Sequence, residues 1–136
     1  AGLEKAAGSG TPMLGGGGGL MWRSRTVTDS AGKTYRMAGV LDADSLMQKR
    51  FAALGYSIGK TCGSSYLANG TAFRGHEFHY SVCEADRDAR FDFLLSRGKG
   101  IAGGKDGLVC GNTLAGYTHI YFGKAFADAF AAGVRR

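Results

Sequence analysis

Apolar and polar positions run through this chain in two rhythms, and the change from one to the other sets the expected elements. The unbroken run Thr11-Pro12-Met13-Leu14 reads as a strand buried on both faces of a parallel sheet, and Leu20-Met21-Trp22 reads as the first turn of a helix. Thr26-Val27-Thr28 and Thr34-Tyr35-Arg36-Met37 flank Ser30-Ala31-Gly32-Lys33, the pattern of a hairpin. Residues 42–54 carry Leu46, Met47, Arg50, Phe51 and Leu54 near helical spacing, with Asp44 or Ser45 as N-cap and Gly55 as the stop, so a helix is expected there. Residues 62–70 read as loop, 73–82 as an aromatic strand, 92–96 and 108–109 as strands around a loop at 98–107, and 116–122 as a further strand. Phe126, Phe130 and Val134 form one stripe at i, i+4, i+8, which predicts a helix over 125–134. Leu3-Glu4-Lys5-Ala6-Ala7 reads as the end of a helix stopped by Gly8 and Gly10.

The junction between the first strand and helix is five consecutive glycines, Gly15 to Gly19. A strand that turns sharply into a helix presents backbone N–H groups where negative charge is stabilised. That geometry serves either a bound phosphate or a nucleophile held beside an oxyanion hole. The dinucleotide pattern G-x-G-x-x-G fails in every register, because its last position falls on Leu20, Met21 or Trp22. No Gly-Lys-Ser/Thr follows the run either, so nucleotide binding is not expected.

Composition narrows the classes. The 136 residues suit one domain, and no apolar stretch reaches membrane-spanning length. Cys62, Cys83 and Cys110 are far apart, without C-x-x-C spacing, and no charged-then-apolar leader is visible. A soluble, cytoplasmic domain with reduced thiols is the expectation. The net charge of +6 is scattered, densest at Arg135-Arg136, with no run that would serve as a nucleic-acid tail. The parallel strand needs neighbours and few precede it, so the sequence reads like a domain whose beginning is missing, with an exposed sheet edge prone to association.

All three histidines lie in aromatic strands, His76 and His79 in Arg74-Gly75-His76-Glu77-Phe78-His79-Tyr80-Ser81 and His119 in Tyr117-Thr118-His119-Ile120-Tyr121-Phe122. On a strand Glu77 and His79 share a face and His76 points away, so the H-x-x-H spacing does not make a metal site, and none is expected. His119 shares its face with Tyr117 and Tyr121 and is the candidate proton-transfer base.

Four segments carry a resemblance across nearly the whole chain, in order. They are the block Pro12–Trp22 spanning the glycine turn, Met37-Ala38-Gly39-Val40-Leu41 with Arg50 to Tyr56, Phe73-Arg74-Gly75-His76-Glu77-Phe78-His79-Tyr80-Ser81, and Asp106-Gly107 through Gly116-Tyr117-Thr118-His119-Ile120-Tyr121-Phe122. Together they resemble the C-terminal part of the glutamine amidotransferase domain of the cobyrinic acid a,c-diamide synthase family, to which the enzyme acting on nickel-sirohydrochlorin is similar. The resemblance implies an α/β class I glutamine amidotransferase (flavodoxin-like) three-layer fold with a mostly parallel central sheet, N-terminally truncated, over residues 1–136. It implies a cysteine that attacks the glutamine amide and a histidine that activates it. The ammonia released passes to a synthetase domain, in cis or trans, that uses ATP and Mg2+ to amidate a corrinoid. The fragment itself holds no cofactor, and neither nucleic acid nor membrane is an expected partner.

Carried over by position, His119 is the activating histidine and Gly18 an oxyanion-hole contributor, while His76, Glu77 and His79 lie near the site with roles left open. Gly17 stands where the family has its nucleophilic cysteine, Gly16 where it has glutamate, and Tyr121 where a second histidine is usual. The phosphate-loop synthetase domain is expected to be absent from these residues. None of the three cysteines sits on a glycine turn, so the chain is expected to lack glutaminase activity. Two other readings stay open: a catalytically dead docking module for a synthetase, and an unrelated sheet protein that binds anions at the glycine turn.

Overall fold

The computed structural model describes residues 5, 7–50 and 52–135, so Leu3, Glu4, Ala6, Phe51 and Arg136 lie outside the described residues. Seven strands form one sheet in the order β1-β10-β9-β8-β5-β6-β11: β1 (Met13–Gly16), β10 (Thr113–Gly116), β9 (Lys105–Cys110), β8 (Arg90–Arg97), β5 (Ala53–Thr61), β6 (Ala72–His79) and β11 (His119–Ile120). A smaller sheet runs β3 (Thr34–Arg36), β2 (Thr26–Thr28), β4 (Ala43–Met47), β7 (Ser81–Ala85). The structure also contains the helices α1 (Gly18–Arg23) and α2 (Lys124–Val134). Neither is long and apolar enough to cross a membrane.

Alternation along two central strands explains why the large sheet carries a core on each face. Leu108 and Ala115 pack with Leu20 of α1, with Leu41 ahead of β4, and with Ala43 and Cys83 of the smaller sheet. Their chain neighbours Val109 and Leu114 point the other way, into Phe73, Phe93, Tyr66 and Phe126 of α2. Side chains two apart share a face, so one ladder supplies both layers. The fold is therefore α/β and strand-rich, as the class I glutamine amidotransferase resemblance implies, but the central sheet is mixed where a mostly parallel one is expected. Among the described residues the parallel pairs are β1 with β10 in this sheet and β2 with β4 in the other. Other ladders are antiparallel, because hairpin-like returns connect most of the described strands. Among the described residues β1 is an edge strand, paired only with β10.

The hairpin Thr26–Arg36 forms in the expected register, Thr26 opposite Arg36, with Asp29 accepting from the N–H groups of Ala31 and Lys33 in its turn. The helix over 125–134 starts one residue earlier than expected and buries Phe126. At the other end of the chain, the positive φ that closes the first helical turn falls on Gly10, at 79°, while Gly8 remains helical.

Three expectations are corrected. Residues 42–54 are not a helix: Ala43 and Ser45 are buried at period two, between β2 on one side and β7 on the other. Only small side chains fit beneath α1 there, where the Ser45 and Ser24 hydroxyls bond at 2.8 Å, and Leu54 of the supposed stripe is 67% exposed. Pairing on both edges outweighs a weak local helical pattern. The strand expected at 73–82 divides at Tyr80, since β6 belongs to the large sheet and β7 to the small one. The strand expected at 116–122 breaks at Tyr117 and Thr118, whose N–H groups leave the ladder for the carboxylate of Asp106.

Candidate active site at the glycine turn

At the end of β1 the chain reverses through Gly17, whose φ of 53° and ψ of −113° suit glycine and strain any other residue. Gly17 donates to the carbonyl of Gly116 at 2.9 Å, and Leu20 donates back to the Gly17 carbonyl at 3.0 Å, so the turn is locked between β10 and α1. Gly18 is the first helical residue, and the first N–H groups of a helix have no acceptor within it. The expected oxyanion contributor therefore sits at a helix start beside the turn.

The structure brings His119 onto this turn. A Cβ placed on Gly17 would press into Nε2 of the imidazole and lie 2.8 Å from its Cε1. A Cβ on Gly16 would lie 3.7 Å from Nδ1. Both ring nitrogens thus face positions where this chain has no side chain. The exposed ring of His119 stacks on exposed His76, its cross-strand partner, with centroids 5.2 Å apart and planes 16° apart. Tyr121 is 69% exposed and does not share a buried face with Tyr117, which is 2% exposed.

Two features of sequence hold His119 here. One is Asp106, fully buried, whose Oδ1 accepts from Tyr117 N at 3.0 Å and Oδ2 from Thr118 N at 2.9 Å. Burial pushes this carboxyl above the usual range, against the backbone N–H groups that favour its charge. Sequence reasoning passed over Asp106 as a site residue; a lone Asp-Gly before a strand reads as turn chemistry. The other feature is Gly75. A Cβ there would collide with the His119 carbonyl and lie 2.7 Å from Cγ2 of Thr118, so glycine is what lets β11 lie on β6. Gly75→Ala is expected to cost about 2–3 kcal/mol by overpacking and to displace His119. Urea denaturation, with the His119 imidazole resonances as the positional probe, checks this; an unchanged midpoint with unmoved resonances would contradict it.

Glu77 and His79 meet as the strand pattern requires, on the face opposite His76. Glu77, 2% exposed, accepts from the N–H groups of Lys99 and Gly100 at 2.9 and 3.0 Å and from His79 Nε2 at 3.0 Å. His79 Nδ1 donates to the Ser81 carbonyl at 2.8 Å, so both nitrogens of this ring are occupied. The ring lies flat on Tyr117, centroids 3.6 Å apart, and the Tyr117 hydroxyl bonds that of Ser81 at 2.8 Å. His79 therefore presents a ring, and no spare hydrogen bond, to a cavity of about 190 Å³ bounded by Gly17, Gly18, Met21, Met47 and His119.

Burial alone would raise the Glu77 carboxyl, but the hydrogen bond from His79, the Gly100 and Lys99 N–H groups and the His79 charge hold it below the usual carboxylate range. A lowered folded-state pKa contributes stability above the unfolded value, near ~4.3, that is lost as pH falls through the folded one. The native chain is expected to weaken steeply below about pH 4. Glu77→Gln should be roughly 2–3 kcal/mol less stable at pH 7 yet flatter in acid. Urea midpoints from pH 3 to 7 decide it: curves of equal slope would refute the assignment.

None of the three cysteines supplies a thiol to the turn. Cys62 donates to the Phe91 carbonyl at 3.2 Å, far along the sheet. Burial pushes the Cys83 thiol up to about 12, and raises that of Cys110 as well.

Comparison with known proteins follows the same segments. Residues 1–126 match the CobB/CobQ-like glutamine amidotransferase domain. The chain is 44% identical over 129 residues to a cobyrinate a,c-diamide synthase of Halobacterium salinarum, covering 94% of this chain and 29% of that protein. It is 42% identical over 116 residues to the enzyme of that name in Haloarcula marismortui (85% and 26%), and 38% identical over 115 residues to the one in Archaeoglobus fulgidus (84% and 25%). The chain thus spans less than a third of the length of the curated relatives it matches. With the turn, the histidine beside it and this match together, the chain belongs to the CobB/CobQ-like glutamine amidotransferase domain family.

Proposed function

We propose that this chain is the C-terminal part of the glutamine amidotransferase domain of a cobyrinate a,c-diamide synthase, a domain whose task is to release ammonia from glutamine. In this reading the ammonia serves ATP-dependent amidation of the a and c carboxylates of cobyrinate on a synthetase domain supplied in cis or trans. The geometry that supports it is the imidazole of His119 set directly over a strained strand-to-helix turn. Catalysis of this class needs a thiolate on the turn, a histidine that takes its proton, and N–H groups facing the oxyanion of the tetrahedral intermediate. His119 occupies the base position and Gly18 the position of an N–H donor. Glu77, His79 and Tyr117 act as a rigid wall beside them, and Asp106 positions the segment carrying the base.

The nucleophile is missing from this arrangement, since Gly17 has no atom that can form a thioester. The chain as it stands is therefore a scaffold for the reaction without its reacting group, inactive alone. Glutamate release from glutamine tests this on the unmodified chain and on Gly17→Cys. Release by the unmodified chain overturns the proposal.

A further inference from the structure

A histidine that activates a nucleophile is itself oriented by a third group, in triad sites a hydrogen-bond partner on its second nitrogen. The two buried carboxylates of this site are committed elsewhere. Glu77 accepts from His79 and from two loop N–H groups, and Asp106 from the N–H groups of Tyr117 and Thr118. What lies against the imidazole of His119 is another imidazole, that of His76, with centroids 5.2 Å apart and planes within 16°. Among the described residues neither ring is held by a hydrogen bond.

The backbone sets these two rings face to face. His76 sits in β6, which is paired on both edges, with Tyr56 of β5 opposite it on one side and His119 on the other. β11 is two residues long, and among the described residues its one neighbour in the sheet is β6. Just past β11, Tyr121 donates its N–H to the Arg74 carbonyl at 2.8 Å, which pins the register. His76 therefore stands on the better-held strand of the pair. A hydrogen bond would fix one angle of the His119 ring. A stack fixes its distance and tilt and leaves it free to slide, since flat rings favour offset arrangements. The turn demands that freedom, because a side chain at Gly17 would press on the His119 ring. Displaced across the face of His76, the ring stays beside the turn.

We infer that His76 is the positioning residue of this site, orienting His119 by stacking where a triad uses a hydrogen bond. The flat face of the ring performs this role and its nitrogens do not, so a phenyl ring serves in its place. The inference rests on the reading of His119 as the base.

Two measurements test it. A ring lying face-on against His119 moves its Cε1–H and Cδ2–H resonances upfield. In the otherwise unmodified chain, His76→Ala is expected to return both toward their free-histidine positions, and His76→Phe to keep them displaced. In Gly17→Cys, iodoacetamide alkylation of the introduced thiol at pH 6.5 is expected to slow about fivefold when His76→Ala is added, the scale of one aromatic pair. With His76→Phe added instead, the rate should stay within about twofold of Gly17→Cys alone. Unmoved His119 resonances in His76→Ala, alkylation as fast without the ring as with it, or a His76→Phe variant as slow as His76→Ala would each overturn the inference. An introduced thiol no faster than Cys62 and Cys110 in every variant counts against the glutaminase reading instead, and the His119 resonances then decide the inference by themselves. His76 is exposed, and ordinary surface substitutions leave a fold in place. Should the amide spectrum of His76→Ala show otherwise, His76→Leu replaces it, with the same losses expected and the same results overturning the inference.

Discussion

Incubated with glutamine, the unmodified chain is expected to release glutamate no faster than the uncatalysed background. In enzymes that work through a nucleophile and a histidine, removing the nucleophile costs on the order of 10⁶ in rate, and what survives comes from binding and oxyanion donors. Here Gly17 removes the thiol, and the obstacle to restoring it is physical: a new Cβ at that position would press on the His119 ring, which must swing aside. The ring can do so because it is exposed and held by stacking on His76 instead of by a buried hydrogen bond. The backbone is no obstacle to function, since a φ of 53° is the strained conformation in which nucleophile turns hold their residue. Gly17→Cys is expected to lose about 1–2 kcal/mol of stability from that conformation while gaining a reactive group.

The second large effect concerns Asp106. Asp106→Ala is expected to destabilise the chain by roughly 3–5 kcal/mol, because the buried N–H groups of Tyr117 and Thr118 lose their acceptors together. Each orphaned donor costs about 1–3 kcal/mol, and a cavity adds to that. Asp106→Asn keeps one carbonyl oxygen in place and should cost about half as much. Urea denaturation of both variants gives the comparison. The sharper readout is positional: with Asp106 removed, the crossing from β10 to β11 loosens and the stacking of His119 on His76 should be lost from the nuclear Overhauser pattern. A stability change within about 0.5 kcal/mol of zero, the range of ordinary surface substitutions, would show that the carboxylate does not hold this segment.

The parts of this site that the sequence made legible are those fixed by local chemistry. A strand, five glycines and an apolar helix start can hardly be read otherwise, and the turn forms where the run lies. The alternation in Arg74 to Ser81 correctly separates Glu77 and His79 from His76, because period two is a property of the strand itself. What escaped was set by distant partners. Residues 42–54 have helical spacing on paper, but Ala43 and Ser45 are small because α1 lies on them, and strands on both sides claim the backbone. β5 was missed because Leu54, Tyr56 and Ile58 face outward, so its apolar positions are not its buried ones. The break at Tyr117 is decided by a carboxylate eleven residues earlier, which no local pattern encodes.

The central claim is that His119 stands poised over the position where a thiol belongs, and it can be tested without substrate. A thiol beside a histidine in hydrogen-bond reach ionises more readily and alkylates faster than an ordinary one. The measurement is the rate of iodoacetamide alkylation at pH 6.5, followed by peptide mass, in Gly17→Cys and in Gly17→Cys/His119→Ala. The introduced thiol should react at least tenfold faster than Cys62 and Cys110 in the same molecule, and should fall to their level when His119 is removed. An introduced thiol that reacts at their rate, with or without His119, would contradict the account.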